Sequence, residues 1–314
     1  MTSYSQRPFR FGVTQSRAGS RREWVDAARR IEALGYSTLT VADHFPERLA
    51  VVPALMAAAD ATERLLVASW VFCNDFRHPA VLYKEAATID LLSEGRLELG
   101  IGAGWLKSEY DMVGIPFDPP GVRVSRMFEA VRIIKGLASD GPFEFAGEHY
   151  RIAGFEGAPK PFQKPCPRLA IGGGGRRVLS FAAREADIVS ITAKALPQGG
   201  LDGVDITFDA TRRKVDWVRR AAGDRDPELN VLIYTFEVTN DREAAAERHA
   251  RELHGLSPAD VLASPHVLIG TVDQMVEDLQ QRRRDLGISY VVLNTNVLTH
   301  TEQFAPVVAA LAGR

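Results

Sequence analysis

The chain has 314 residues, a formal charge of −2, 46% hydrophobic and 25% charged residues, and two cysteines. So small a net charge gives no sign of a nucleic-acid-binding surface, and no apolar run approaches the length of a membrane span. Cys73 and Cys166 are too far apart for a metal-ligand or redox spacing, and Met1 to Arg10 lacks the apolar core of a signal peptide. The class that remains is a soluble, cytoplasmic protein acting on a small molecule, without nucleic-acid or membrane partners and without a metal site.

Phe9 to Thr14 reads as a strand. Ser20 stands in capping-box spacing to Glu23 and opens a helix that runs to Leu34 and stops at Gly35. The second strand, Ser37 to Ala42, runs directly into Asp43-His44-Phe45. Alternation puts Thr38, Thr40, Ala42 and His44 on one face, small and polar, and Leu39, Val41 and Asp43 on the other, mostly apolar. A strand packed outward on helices, its small face turned into a crowded interior, has this pattern. It leaves His44 at the C-terminal mouth, where such folds do chemistry. A helix over Val52 to Thr62, a third strand over Leu65 to Asn74, a helix from Pro79 to about Ser93 and a fourth strand over Arg96 to Gly102 continue the alternation. Short links of this kind imply parallel strands and right-handed crossovers.

Glu109 to Pro120 reads as a turn-rich link and Arg123 to Leu137 as an amphipathic helix. Asp140 to Pro167 predicts a small hairpin around Phe143 to Tyr150 and an extended tail from Pro159 to Pro165, which so many prolines keep out of a helix. This stretch, about 140–167, is an insertion after the fourth strand within one domain of residues 1–314, because alternation resumes at once. Strands follow at Arg168 to Gly172 and Asp187 to Ala193, with a helix from Arg176 to Glu185 between them. Leu196 to Asp205 is a glycine-bearing candidate lid. A helix over Thr211 to Ala222, a strand over Leu229 to Val238 and a helical region from Asp241 to about Leu262 come next. The helix Val272 to Leu286, the strand Ile288 to Asn294 and the helix Thr301 to Leu311 close the chain. Eight strands alternating with helices predict an α/β fold, a closed (β/α)8 or TIM barrel, in preference to a doubly wound open sheet.

Two glycine clusters stand out. In the fourth strand Gly100, Gly102 and Gly104 share one parity, which leaves room at the mouth for a flat ring or for backbone contact. Gly172-Gly173-Gly174-Gly175 leads straight into a helix beginning Arg176-Arg177, so free amides, a helix N-terminus and two arginines converge on one spot. That is the best phosphate-site candidate, and it lacks the lysine and Ser/Thr of a nucleotide-triphosphate loop. Cys73 fits a buried small hydrophobe better than a nucleophile, and His78 before Pro79 fits a helix entry. Glu109 suits equally a cofactor contact and a cap on the segment after it.

Ala42-Asp43-His44-Phe45, Arg77-His78-Pro79, Ser93-Glu94-Gly95-Arg96 and Gly102-Ala103-Gly104-Trp105 with Glu109-Tyr110 occur in that order. With the proline-rich Pro159 to Pro167 run, the glycine loop, Ala186-Asp187, Gly270-Thr271 and Phe304-Ala305-Pro306, they resemble the bacterial luciferase-like monooxygenase superfamily from Phe9 to Leu311. The Asp-His-Phe form is most similar to the branch that uses the deazaflavin coenzyme F420. The resemblance implies a hydride-transferring oxidoreductase, a homodimer, with the deazaflavin ring in the barrel mouth and its phosphate-bearing tail on the glycine loop. It implies a bulge in the third strand with a non-prolyl cis peptide around Trp70-Val71. It also implies His44 as catalytic residue and a cofactor-binding set of Asp43, Trp70, Val71, Cys73, Gly104, Trp105, Ser108, Glu109, Gly173, Gly174, Gly175, Arg176 and Thr192. Trp105 occupies the place where sugar-phosphate dehydrogenases of this branch carry a catalytic glutamate, so their substrate and acid–base scheme do not transfer. An FMN-dependent monooxygenase of the same fold is the alternative, and a non-catalytic flavin-binding barrel a second one.

Overall fold

The computed structural model describes residues 7–196, 202–253 and 255–314. In chain order, β1 (Arg10–Thr14) is followed by α1 (Arg21–Ala33), β2 (Thr38–Val41), α2 (Val51–Ala61), β3 (Leu66–Ser69), the two-residue β4 (Phe72–Cys73), α3 (Pro79–Leu92) and β5 (Leu97–Gly102). Helices α4 (Lys107–Val113) and α5 (Pro120–Ala138) and a hairpin of β6 (Phe143–Ala146) and β7 (Arg151–Phe155) precede β8 (Arg168–Gly173), α6 (Arg176–Glu185) and β9 (Ile188–Ile191). Then come α7 (Phe208–Ala222), β10 (Glu228–Ile233), β11 (Thr235–Val238), α8 (Arg242–Glu252) and α9 (Pro258–Ala263). The last elements are β12 (Val267–Gly270), α10 (Val272–Leu286), β13 (Ile288–Leu293) and α11 (Leu298–Leu311).

Parallel pairing runs β3-β2-β1-β13-β10-β9-β8-β5, and β5 pairs back onto β3 with Val67 opposite Leu97. Among the described residues the wall is therefore an eight-stranded closed barrel, and β4 prolongs the third strand, Phe72 opposite Ile101. The alternation in β2 works as its side chains require. Leu39 and Val41 join the core between wall and helices with Trp24, Ile31 and Leu55, whereas the Thr40 hydroxyl lies 2.9 Å from that of Thr14. A smaller cluster of Ala68, Trp70, Ala170, Ile188, Tyr290 and Val292 packs apart from that core.

The N-terminal end of the barrel carries charge instead. Arg10 Nη2 is 2.9 Å from both Glu98 and Glu228, and Arg168 bonds the same two carboxylates at 3.2 and 2.9 Å. Both glutamates are buried, each facing two guanidiniums, and Tyr290 Oη donates to Glu98 at 3.2 Å. Such pairing offsets the cost of removing the two carboxylates from water.

The third strand is interrupted at Trp70-Val71, between β3 and β4, where the resemblance implies a bulge. Three stretches differ from the pattern expected of them. The link expected over Glu109 to Pro120 is helical up to Val113, as the greater part of α4, a helix without a side-chain cap that Gly114 ends at φ 73°. Leu229 to Val238 breaks at Tyr234, so that β10 stays in the barrel and β11 leaves it to pair with β12, Val238 opposite Gly270. The insertion hairpin reaches on to Phe155, and the Glu129 carboxylate on α5 pins its turn by accepting from the amides of Glu148, His149 and Tyr150. Of the candidate lid, residues 197–201 lie outside the described residues. No helix among the described residues is long and apolar enough to cross a membrane.

Candidate active site

The bulge comes first, because it shapes everything beside it. The peptide between Trp70 and Val71 is cis, as the resemblance implied. A Cβ on Gly102 would lie 2.6 Å from Val71 Cγ2, and one on Gly100 would lie 2.1 Å from Ser69 O. Of the two uses open to those glycines, they serve close backbone contact: β5 is stripped of side chains to admit the bulge of its neighbour. Gly104 is needed for another reason. Its φ is 73°, and a Cβ there would strike the Tyr110 hydroxyl at 1.9 Å.

A cavity of about 470 Å³ lies at the C-terminal end of the barrel, lined by Trp70 and Val71 and by residues that follow β2, β5, β8, β9, β10 and β13. That volume falls in the usual range for a cofactor or substrate site. His44 lines it. Its Nδ1 is 2.9 and 3.0 Å from the two carboxylate oxygens of Glu109, and its ring meets Trp105 edge to face at 6.1 Å. Glu109, in the first turn of α4, is 4% exposed. A carboxylate only accepts, so Nδ1 carries the proton toward it and Nε2 is left as the atom free to exchange one. Glu109 was read as suiting a cofactor contact or a cap; what it touches is the imidazole.

Asp43 lines the cavity, but its carboxylate is already engaged. Oδ2 accepts from the Cys73 amide at 3.0 Å and from Arg77 Nη1 at 2.8 Å, and Oδ1 from Arg77 Nη2 at 3.3 Å. It ties the end of β2 to the far side of the bulge. Cys73 Sγ is 3.2 Å from Tyr110 Oη, which donates in turn to Asp75 at 3.1 Å. Burial pushes the Cys73 thiol up to about 12, so it stays protonated, the behaviour of a buried small side chain. His78 caps α3, accepting from the Ala80 amide at 3.2 Å.

Gly172 to Gly175 line another part of the cavity with Thr192, whose amide donates to Gly173 O at 3.1 Å. A Cβ at Gly175 would meet nothing within 4 Å, whereas one at Gly174 would sit 2.8 Å from the backbone of Ala193 and Lys194. α6 begins at this open glycine with no side-chain cap and no acid in its first turn. Its leading amides are thus free for an anion. Gly104 and Trp105 are also in the lining. Ser108 and Arg176 are exposed and stand outside it. Both open their helices on the outward side, a direction that chain position alone does not reveal.

Several lining residues carried no signal in the sequence. Arg123, 6% exposed, donates to Ala103 O and Asp118 O at 3.3 and 2.8 Å and lies over Phe117. The Thr192–Lys194 segment is held by a buried pair, Lys214 Nζ to Asp205 Oδ2 at 2.6 Å, with Lys214 also on Thr192 O and Asp205 on the Lys194 amide. Tyr234 and Asn294 complete the rim. Tyr234 stands at the break between β10 and β11, inside a stretch that reads as one continuous strand in the sequence.

A family model described as luciferase-like monooxygenase matches residues 2–290. Among curated proteins, an F420-dependent glucose-6-phosphate dehydrogenase of Intrasporangium calvum is 32% identical over 307 residues, spanning 87% of this chain and 88% of that protein. An FMNH(2)-dependent dimethylsulfone monooxygenase of Pseudomonas putida is 27% identical over 212 residues, which is 68% of this chain but only 54% of that protein. Among solved structures, an F420-dependent secondary alcohol dehydrogenase in complex with an F420-acetone adduct superposes with a TM-score of 0.76 at 20% identity, over 96% of this chain and 99% of that one. A closed barrel with one strand interrupted by a bulge, and with an imidazole and a glycine loop at its mouth, thus has relatives that are oxidoreductases on both deazaflavin and flavin. The chain belongs to the luciferase-like monooxygenase family of oxidoreductases.

Proposed function

We propose that the chain is an F420-dependent oxidoreductase that moves a hydride between the deazaflavin C5 and a small organic substrate, working in the cytoplasm as a homodimer of one-domain protomers. The observation that carries it is the His44–Glu109 pair on the cavity wall, its Nδ1 committed and its Nε2 free. Likeness over nearly full length to an F420-dependent dehydrogenase adds support. A pair this well formed argues against a barrel that only binds flavin.

The cofactor fits what is present. Trp70, Val71, Gly104 and Trp105 would flank the ring, and Gly173 to Gly175 with the open start of α6 would take the anionic tail. When bound, the deazaflavin supplies the hydride chemistry. His44 holds or releases a proton at Nε2, toward a substrate oxygen whose charge changes in the reaction. Glu109 fixes the imidazole's tautomer and orientation. Trp105, Trp70 and Val71 exclude water around them.

The second reading, an FMN-dependent monooxygenase, is favoured by the dimethylsulfone monooxygenase likeness. Titrating the purified apoprotein with F420 and with FMN separates the two. F420 should bind at least about tenfold more tightly, roughly 1.4 kcal/mol. Equal or tighter FMN binding with oxygen-dependent turnover would transfer the assignment to the monooxygenase.

A further inference from the structure

Two arginines at the mouth take no part in the site described so far. Arg17 follows β1 and Arg48 follows β2, four residues after His44. Together they line a second cavity of about 540 Å³, which shares Tyr234 and Asn294 with the first. The same two side chains, with Glu47, also line a smaller opening of about 370 Å³. The guanidiniums thus stand between two openings, beside the main cavity.

Their partners do not account for them. Arg17 meets Glu47 at 3.0 Å, but that pair is half exposed and more, 50% and 75%, where an ion pair contributes little. Arg48 has no ion pair among the described residues, and its Nη1 is buried without a hydrogen-bond partner. Desolvation and the neighbouring charge of Arg17 both disfavour its cation, while Glu109 and Glu47 favour it from beyond contact distance. Glu47 itself holds φ at 53°, a left-handed conformation that a non-glycine side chain adopts at a cost. Two like charges, one of them partly desolvated and short of an acceptor, are an arrangement that an anion between them relieves.

The topology says which anion. Around the barrel, β1 and β8 are four strands apart in a ring of eight, which is diametrically opposite. The glycine loop follows β8, so the arginines sit across the mouth from the phosphate-site candidate, with His44 close in sequence to Arg48. We propose that an anionic group of the substrate, a carboxylate, sulfonate or phosphate, docks between Arg48 and Arg17 and holds the rest of the molecule against His44. This rests on the oxidoreductase reading for the word substrate, though not for the anion site itself.

Methanesulfonate and its near-isostere dimethyl sulfone differ chiefly in charge, which makes them the probes. Each would be titrated into the apoprotein by calorimetry at constant ionic strength, beside F420 titrations on the same samples. Methanesulfonate should bind at least tenfold more tightly than the sulfone. Arg48→Met should weaken methanesulfonate about tenfold or more, Arg17→Met less, and Arg48→Lys should recover part of the loss. F420 affinity should change by no more than about twofold in any variant. Unliganded Arg48→Met should melt no lower than the parent, since it loses an unpaired, desolvated charge. Equal binding of sulfone and sulfonate, or arginine variants that leave methanesulfonate untouched, would overturn the anion site. So would F420 weakening in parallel, which would give the arginines to the cofactor tail. If wild type failed to bind F420 while methanesulfonate still required Arg48, the anion site would stand and the cofactor reading would fall.

Discussion

Replacing His44 does two things at once, and the structure shows how to part them. The Glu109 carboxylate is 4% exposed, and both of its oxygens lie within 3.0 Å of His44 Nδ1. His44→Ala therefore removes the proposed proton carrier and also strands a buried carboxylate. Losing a hydrogen bond to a charged group costs about 1.5–3 kcal/mol, enough to lower the melting temperature visibly. Loss of a general acid–base group should cut turnover by about 10²-fold or more. Those two effects have opposite responses to a second substitution. Removing both partners of a buried bond is far less costly than removing one, so His44→Ala/Glu109→Ala should regain most of the lost melting temperature. It should regain none of the turnover. Glu109→Gln keeps the shape, loses the charge and lets the amide offer a hydrogen to Nδ1, which favours the wrong tautomer; roughly tenfold lower turnover is expected, a 1.4 kcal/mol effect. The readouts are single-turnover deazaflavin absorbance, with a substrate from a screen of small alcohols and carbonyl compounds, and thermal unfolding of the same samples. A double variant that recovered turnover together with stability would make His44 a packing residue. Unchanged turnover in Glu109→Gln would remove the carboxylate from the mechanism.

Gly175→Val should weaken F420 about tenfold without lowering the melting temperature, because its Cβ meets nothing in the folded chain while the branch covers the open amides of α6. A tail-less deazaflavin should bind it normally, and parallel weakening of both ligands would make the loop merely structural. Gly174 is unsuited to this test, since its Cβ would press on the backbone of Ala193 and Lys194. His266, fully buried with Nδ1–H donated to Leu232 O at 2.9 Å, is pushed down to about 3 by desolvation. Its neutral form thus adds stability that is full above the unfolded value of about 6.5 and is lost as pH falls toward 3. Chemical denaturation from pH 7 to 4 should show His266→Gln with a pH slope shallower by up to about 1.4 kcal/mol per unit; an unchanged slope would refute the assignment.

What could be read from the sequence was what repeats locally. The period-two pattern of Ser37 to Ala42 sent Leu39 and Val41 to the helices because each residue's face depends only on its neighbours. The bounds of α6 and α10 came out as expected, since strong glycine, capping and charge signals flank them. What could not be read joins distant parts of the chain. Glu109 meets His44 across 65 residues, and nothing near Glu109 announces it. The glycines of β5 suit a ligand or a backbone contact equally in the sequence, and only the packing of Val71 and Ser69 against them decides for contact. β12, four residues long, is a strand only because β11 swings out of the wall to pair with it.

The two ends of the barrel divide the work, and the division follows from charge. At the N-terminal end Arg10 and Arg168 meet Glu98 and Glu228 in equal number, so the charges cancel within the protein and ask for no ligand. At the mouth the balance is incomplete: Arg48 has no ion pair among the described residues, and Arg17 meets only the exposed Glu47. The open amides at the start of α6 lie on one side, Arg17 and Arg48 on the other, and Glu109 holds the cavity's imidazole between them. Two anionic molecules entering such a mouth would be drawn to opposite rims, a cofactor tail to the glycine loop and a substrate's charge to the arginines. Their uncharged, reacting parts would then meet over the middle, where Trp105, Val71 and His44 are. Orientation would thus come from separated positive poles, with the chemistry left to a single proton-bearing nitrogen.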